Sequence, residues 1–186
     1  LKDEDLLPIS ELSTTLKTLE LSGCHFLSDE SFETIFQLSE LSHLTLRECS
    51  GLVDECLTTF AASCGKNSSL EYLDLSGCSR LSFANGVAKL AVCPKLRHLN
   101  LSGCFRFGES SDLPEMSLRS FNNLKHLEFV DLSHCMCIDG TIDAISQHPN
   151  ITALNIASNR FLGNPSAGYL REMAISRRLR QVCING

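Results

Sequence analysis

A nine-residue phrase recurs through the chain and restricts its folding more than any other feature. It reads LKTLELSGC from Leu16, LSHLTLREC from Leu41, LEYLDLSGC from Leu70 and LRHLNLSGC from Leu96. Altered copies follow: LEFVDLSHC from Leu127, ITALNIASN from Ile151 and LRQVCING from Leu179. Successive copies start 25, 29, 26, 31, 24 and 28 residues apart. Self-similarity at such a period marks a solenoid. Within the phrase, apolar and polar residues alternate, which is the period of a half-buried strand. A strand this short cannot bury its apolar face alone. Stacking each copy on the next as a parallel sheet supplies the missing neighbour.

The cysteine eight residues after the first leucine turns inward where the chain leaves the strand. It is Cys24, Cys49, Cys78, Cys104 and Cys135 in the first five copies. Small and readily buried, it suits a tight inner corner. The sixth copy has Asn159 there, whose side-chain amide can bond the turning backbone instead. Three residues further on comes an apolar side chain: Leu27, Leu52, Leu81, Phe107, Ile138 and Leu162. Between phrases the spacing becomes helical, with stripes at Phe32, Ile35 and Phe36, at Leu57 and Phe60, at Val87 and Leu90, and at Ile142 and Ile145. Asp29, Asp54 and Asp139 stand where helix N-caps belong. The sixth unit offers Pro165 at a first helical position, then Tyr169, Leu170, Met173 and Ala174. Each unit is thus strand, turn and helix. The strands line the concave side of an arc and the helices its convex side. Residues 1–186 form one domain: a flank over 1–15, then about seven repeats starting near 16, 41, 70, 96, 127, 151 and 179.

The chain of 186 residues is 43% apolar and 20% charged, enough to bury a continuous core. Its 16 basic and 22 acidic side chains give a formal charge of -6, which repels phosphate backbones and makes nucleic acid a poor partner. No run approaches the roughly 18 consecutive apolar residues of a membrane span. The opening Leu1-Lys2-Asp3-Glu4-Asp5 is acidic where a secretory leader is basic, and the missing initiator Met marks a fragment or a processed product. Ten cysteines invite a disulfide reading, but the register puts five of them at inner corners. That predicts reduced thiols and a cytoplasmic or nuclear protein.

Other chemistries lose to the register. Cys135-Met136-Cys137, with His134 and His148, has the residue types of a zinc site, yet Cys135 is a corner residue and a second ligand pair is missing. The corner thiols, buried among leucines, are inert; Cys183 faces outward near the last strand. The recurring Ser-Gly before the cysteine is a turn, not a phosphate loop. No catalytic, cofactor or metal site emerges, which leaves the concave face. Its first column reads Thr18, His43, Tyr72, His98, Phe129, Ala153, Gln181. The second reads Glu20, Thr45, Asp74, Asn100, Asp131, Asn155, Cys183. The third reads Ser22, Arg47, Ser76, Ser102, Ser133, Ala157, Asn185. Aromatic side chains with a few charges are what binding hot spots use. The candidate protein-binding residues are therefore His43, Arg47, Tyr72, Asp74, His98, Asn100, Phe129 and Asp131. The rings of Tyr72, His98 and Phe129 are expected to span roughly 10 Å at ordinary strand spacing. Asp74 and Asp131, expected to face solvent, would steer a basic partner.

The segment Cys93-Pro-Lys-Leu96-Arg-His-Leu99-Asn-Leu101-Ser-Gly-Cys104 fits C-x2-L-x2-L-x-L-x2-C. With a period near 26, the chain resembles the cysteine-containing leucine-rich-repeat family over residues 16 to 186. Such repeats occur in F-box/LRR substrate receptors and in antagonist of mitotic exit network proteins. The resemblance implies a right-handed α/β solenoid and a protein-recognition module, the substrate-binding half of a ubiquitin ligase receptor. The E3 adaptor would then be engaged through regions outside this chain, because residues 1–15 are too few for an F-box. The sequence departs from the family pattern in three places: a cysteine precedes the first leucine only at Cys93, the third repeat lacks the acidic residue before its helix, and the fourth carries a long 110–114 loop. Asn159 is closer to the ribonuclease-inhibitor type. A structural or assembly scaffold is the alternative function, and an enzyme comes third.

Overall fold

A computed structural model describes residues 1–64, 68–82, 85–104, 120–137, 145, 148–160 and 178–184. Among them seven strands form one open sheet in chain order. They are β1 (Thr18–Ser22), β2 (His43–Arg47), β3 (Tyr72–Asp74), β4 (His98–Asn100), β5 (Phe129–Asp131), β6 (Ala153–Asn155) and β7 (Gln181–Cys183). Every neighbouring pair is parallel, and the register sets the first columnar residue of each strand opposite the next, from Thr18 and His43 through to Ala153 and Gln181. Three α-helices are described, α1 (Asp3–Leu6), α2 (Asp29–Phe36) and α3 (Asp54–Cys64). Tighter 3-10 turns cover Leu7–Leu12, Val87–Val92 and Ser120–Asn123.

The core follows the alternation in the phrase. Leu44, Leu46, Leu73, Leu75, Leu99, Leu101, Val130, Leu132, Leu154 and Ile156 all point inward and are buried. They meet the stripes Phe32, Ile35 and Phe36, Leu57 and Phe60, Val87 and Leu90, and Ile145. On β1 the equivalent Leu19 and Leu21 are only half-buried, because a strand at the sheet edge has a neighbour on one side alone.

The inner corner is a hydrogen-bonded column. The Cys78 thiol donates to the Leu46 carbonyl at 3.0 Å, Cys104 to Leu75 at 3.3 Å and Cys135 to Leu101 at 2.9 Å. Each corner thus ties its own repeat to the one before. Asn159 reaches the Leu132 carbonyl at 2.9 Å, and its Oδ1 accepts the backbone N–H groups of Cys135 and Cys137. Burial pushes the Cys49 thiol up to about 11 and Cys78 up to about 12, and raises Cys104 further. All four buried corner thiols are free, as is Cys24. Cys24 departs from the expected burial: it is half-buried, at the edge rung. The residue before each corner adopts the left-handed conformation. Gly23, Gly77 and Gly103 do so at no steric penalty, while Glu48, His134 and Ser158 do so with side chains.

Two expectations need correction. Asp29 and Asp54 do not cap their own helices. Asp54 instead accepts the Ser82 backbone N–H at 2.7 Å and the Ser82 hydroxyl at 2.6 Å, and Asp29 accepts the Cys56 thiol at 3.4 Å. Residues 1–15 carry α1 and the 3-10 turn Leu7–Leu12. Asp3 binds Ser28 N–H at 2.8 Å and the Ser31 hydroxyl at 2.6 Å, and Leu6 is buried. These bonds tie α1 to α2. The third stripe forms a 3-10 turn: Val87 and Leu90 stand three apart, β-branched Val87 and Val92 weaken an α-helix, and Gly86 precedes them. Phe107, Ile138, Leu162, Asp139, Ile142, the 110–114 loop, the run from Pro165 through Tyr169, Leu170, Met173 and Ala174, and Asn185 lie outside the described residues.

Candidate functional site

The sheet face away from the helices carries the three columns. In the first, the rings form a continuous ladder over four strands. His43 and Tyr72 stack with centroids 5.8 Å apart at 17°, Tyr72 and His98 lie 6.0 Å apart at 33°, and His98 and Phe129 5.9 Å apart at 34°. These spacings exceed the strand spacing of about 4.8 Å. The tilted rings therefore splay, and the patch is longer than expected. His43 joins it, so the ladder has four members. Tyr72 and Phe129 are half-buried by their neighbours, while His43 and His98 are exposed. Burial raises the Tyr72 phenol above its ordinary value of 10.0, and the Asp74 carboxylate adds to this.

The second column is a bonded row. Asp74 Oδ1 accepts the Ser76 N–H at 2.8 Å, and Asn100 Nδ2 donates to Asp74 Oδ2 at 3.1 Å. Two strands on, the pattern repeats: Asp131 Oδ1 accepts the Ser133 N–H at 2.8 Å, and Asn155 Nδ2 donates to Asp131 Oδ2 at 2.9 Å. Asn100 and Asn155 each accept a backbone N–H two residues on, at 3.0 and 3.1 Å. Every side chain in this stretch closes a local turn, and each Asp–Asn pair bridges two strands. Asp74 is consequently 4% exposed, which corrects the expectation that it faces solvent. Arg47 stands exposed beside it, with Nε 3.9 Å from Asp74 Oδ2.

Sequence reasoning assigns no role to the third-column serines and passes over Arg97 and Glu128. Serines fill the third column from β3 to β5: the Ser102 and Ser133 hydroxyls lie 2.8 Å apart, and buried Ser76 Oγ has no hydrogen-bond partner among the described residues. Ahead of the ring column, Arg97 and Glu128 pair at 2.5 Å with both side chains about half exposed. The signal was available, since these residues precede His98 and Phe129 in two adjacent copies. The side chains considered for zinc do not converge. His148 is buried, bonded to the Phe121 carbonyl at 3.0 Å and to the Asn150 N–H at 3.2 Å, while the Cys135 thiol is spent on Leu101. His134 is exposed, and no group of metal-binding side chains occurs among the described residues. Half-buried Cys183 lies opposite Asn155, at the far end of the second column.

Residues 12–35, 66–81 and 92–104 match the Leucine Rich repeat family. No curated protein matches the chain by sequence. Among solved structures, internalin C2 from Listeria monocytogenes superposes with a TM-score of 0.62 at 18% identity, over 99% of this chain and 65% of that one. A second Listeria monocytogenes internalin, inlF, gives 0.53 at 15% identity, over 96% of this chain and 50% of that one. The tropomodulin C-terminal domain of Caenorhabditis elegans gives 0.55 at 16% identity, over 95% and 91%. The chain thus spans less than two thirds of the internalin chains it matches. Its fold is the leucine-rich-repeat fold, with a parallel, unclosed sheet of seven strands.

Proposed function

We propose that this leucine-rich-repeat chain is a protein-recognition module and that its partner docks on the concave sheet face. The observation that carries the reading is the ring ladder His43–Tyr72–His98–Phe129. The core is complete without these rings, because the inward leucines and the helical stripes fill it. Half-exposed aromatics held by their neighbours lose little side-chain entropy on binding, which is why such residues dominate hot spots. Arg47, Asp74, Asn100 and Asp131 border the ladder and set its polarity.

A finer role, substrate recognition in a ubiquitin ligase receptor with the adaptor bound elsewhere, is supported by the resemblance of the cysteine-bearing phrase. A cytoplasmic or nuclear setting is supported by the corner thiols, whose S–H groups are used as donors and would be lost on oxidation. A second reading, a segment of a larger repeat scaffold, is favoured by the half-buried apolar side chains Leu16, Leu19 and Leu21 at the β1 end.

The test is quantitative capture from native extract with Tyr72→Ala/Phe129→Ala. The fold should survive, and capture of the native partner should fall at least about tenfold, roughly 1.4 kcal/mol. Changes at Glu33 and Lys89 on the helical side should have no effect. Normal capture by the ring variant, with loss in the helical-side or β1-end variants, would transfer the function to the scaffold reading.

A further inference from the structure

The outer face carries one chemical pair twice. On β3 an aromatic ring is followed two residues later by a carboxylate, Tyr72 then Asp74; on β5 it is Phe129 then Asp131. Residues two apart on a strand share a face. The ring faces are turned to one another along the ladder, so a long cationic side chain would lay its methylene stem on the ring edge and pair its charged head with the carboxylate beside it. The strand between them has His98 and Asn100 instead. The two carboxylates therefore stand about 10 Å apart, two strand intervals, with their rings somewhat further apart. The free protein already brings a cation to one of them: the Arg47 guanidinium lies 3.9 Å from Asp74. Among the described residues no cationic side chain pairs with Asp131.

The same face dictates the backbone of its occupant. The Asp–Asn row and the Ser102–Ser133 pair are bonded internally. An extended segment laid across them would leave its own N–H and C=O groups desolvated and unpaired. An α-helix satisfies its own backbone, and seven residues advance it about 10.5 Å and return to the same side. We propose that this face reads two cationic side chains seven residues apart on a partner helix, one at Tyr72/Asp74 and one at Phe129/Asp131, and that Arg47 holds the first place until the partner arrives. This rests on the protein-binding reading above.

The test uses the full chain and alanine-based stapled helices of equal charge, with two arginines four, seven or eleven residues apart, followed by fluorescence anisotropy. The seven-spaced helix should bind at least tenfold tighter than either isomer. The paired exchange Asp131→Asn/Asn155→Asp keeps an amide donating to a carboxylate between β5 and β6, so the row is retained. It moves the second carboxylate one strand outward, to about 14 Å from Asp74. The preference should then move to the eleven-spaced helix, the next return to one face at about 16.5 Å. Arg47→Ala should tighten binding of the seven-spaced helix severalfold. Equal binding of the isomers, a preference unmoved by the exchange, or weaker binding of Arg47→Ala overturns the proposal. If the isomers bind alike while Tyr72→Ala/Phe129→Ala still loses the native partner, only this inference falls; if the native partner is also kept, the protein-binding reading falls with it.

Discussion

Strands β1 and β3 carry nearly the same phrase, LKTLELSGC and LEYLDLSGC, yet they sit in different surroundings. On β3, Leu73 and Leu75 are 1% and 0% exposed, Asp74 is bonded into its row, and Cys78 is sealed. On β1, Leu19 and Leu21 are half-buried, Glu20 is exposed, and Cys24 is partly open. Local sequence is therefore not what stabilises a rung. Most of the stabilisation comes from the rungs on either side, as expected for a stack whose energy is largely nearest-neighbour terms.

The largest contrast should appear in thiol chemistry. At pH 8 a thiol raised to about 12, as at Cys78, is ionised in roughly one molecule in ten thousand, and it is also sealed from reagent. Alkylation mapped by mass spectrometry should therefore modify Cys24 at least about a hundredfold faster than Cys78 or Cys104. Equal rates would mean that the central rungs open as readily as the edge. Next come the inward leucines. Leu75→Ala should cost about 2–5 kcal/mol in a denaturant melt, and Leu21→Ala distinctly less, about 1 kcal/mol. Similar losses would remove the centre–edge distinction.

The second column gives a smaller version of the same contrast. Asp74→Ala strands the Ser76 N–H and the Asn100 amide and should cost about 1–3 kcal/mol. Exposed Glu20→Ala should stay within about 0.5 kcal/mol. The smallest effect belongs to the edge helix. The Ser31 hydroxyl, then the Ser28 N–H, hold the Asp3 carboxyl below its ordinary 3.8. These bonds stabilise the α1 contact above pH 3.8 and are lost as pH falls through the lower folded value. An NMR titration should show the Ser28 amide shifting with a midpoint below 3.8, and a midpoint at or above that value would detach Asp3 from this role.

Strand register was the most legible part of the fold, because a period of two leaves one choice of inward face once Leu73 and Leu75 are assigned. The ring column followed from the same alignment. Alternation gives a side chain's direction but says nothing of what covers it, so the burial of Asp74 between Arg47 and Asn100 was not readable. The role of Asp54 was missed because its partner, Ser82, is 28 residues away. One omission did have a signal. Asp3-Glu4-Asp5-Leu6 matches Asp29-Glu30-Ser31-Phe32 and Asp54-Glu55-Cys56-Leu57, and that recurrence marks the start of α1. The left-handed corners at Glu48, His134 and Ser158 carry no such mark, since none is glycine.

The Asp–Asn row also bears on how an array like this can change length. Asp74 is matched to Asn100 and Asp131 to Asn155, so the outer face counts in twos. Excising the repeat of β4 would set the Asp74 carboxylate against that of Asp131, about 4.8 Å away, with no amide between them. Excising β4 and β5 together would set Asp74 against Asn155 and restore the match. Excising β5 alone would set Asn100 against Asn155, with no charges facing, so within β3 to β6 it is the β4 rung that cannot be lost by itself without electrostatic conflict.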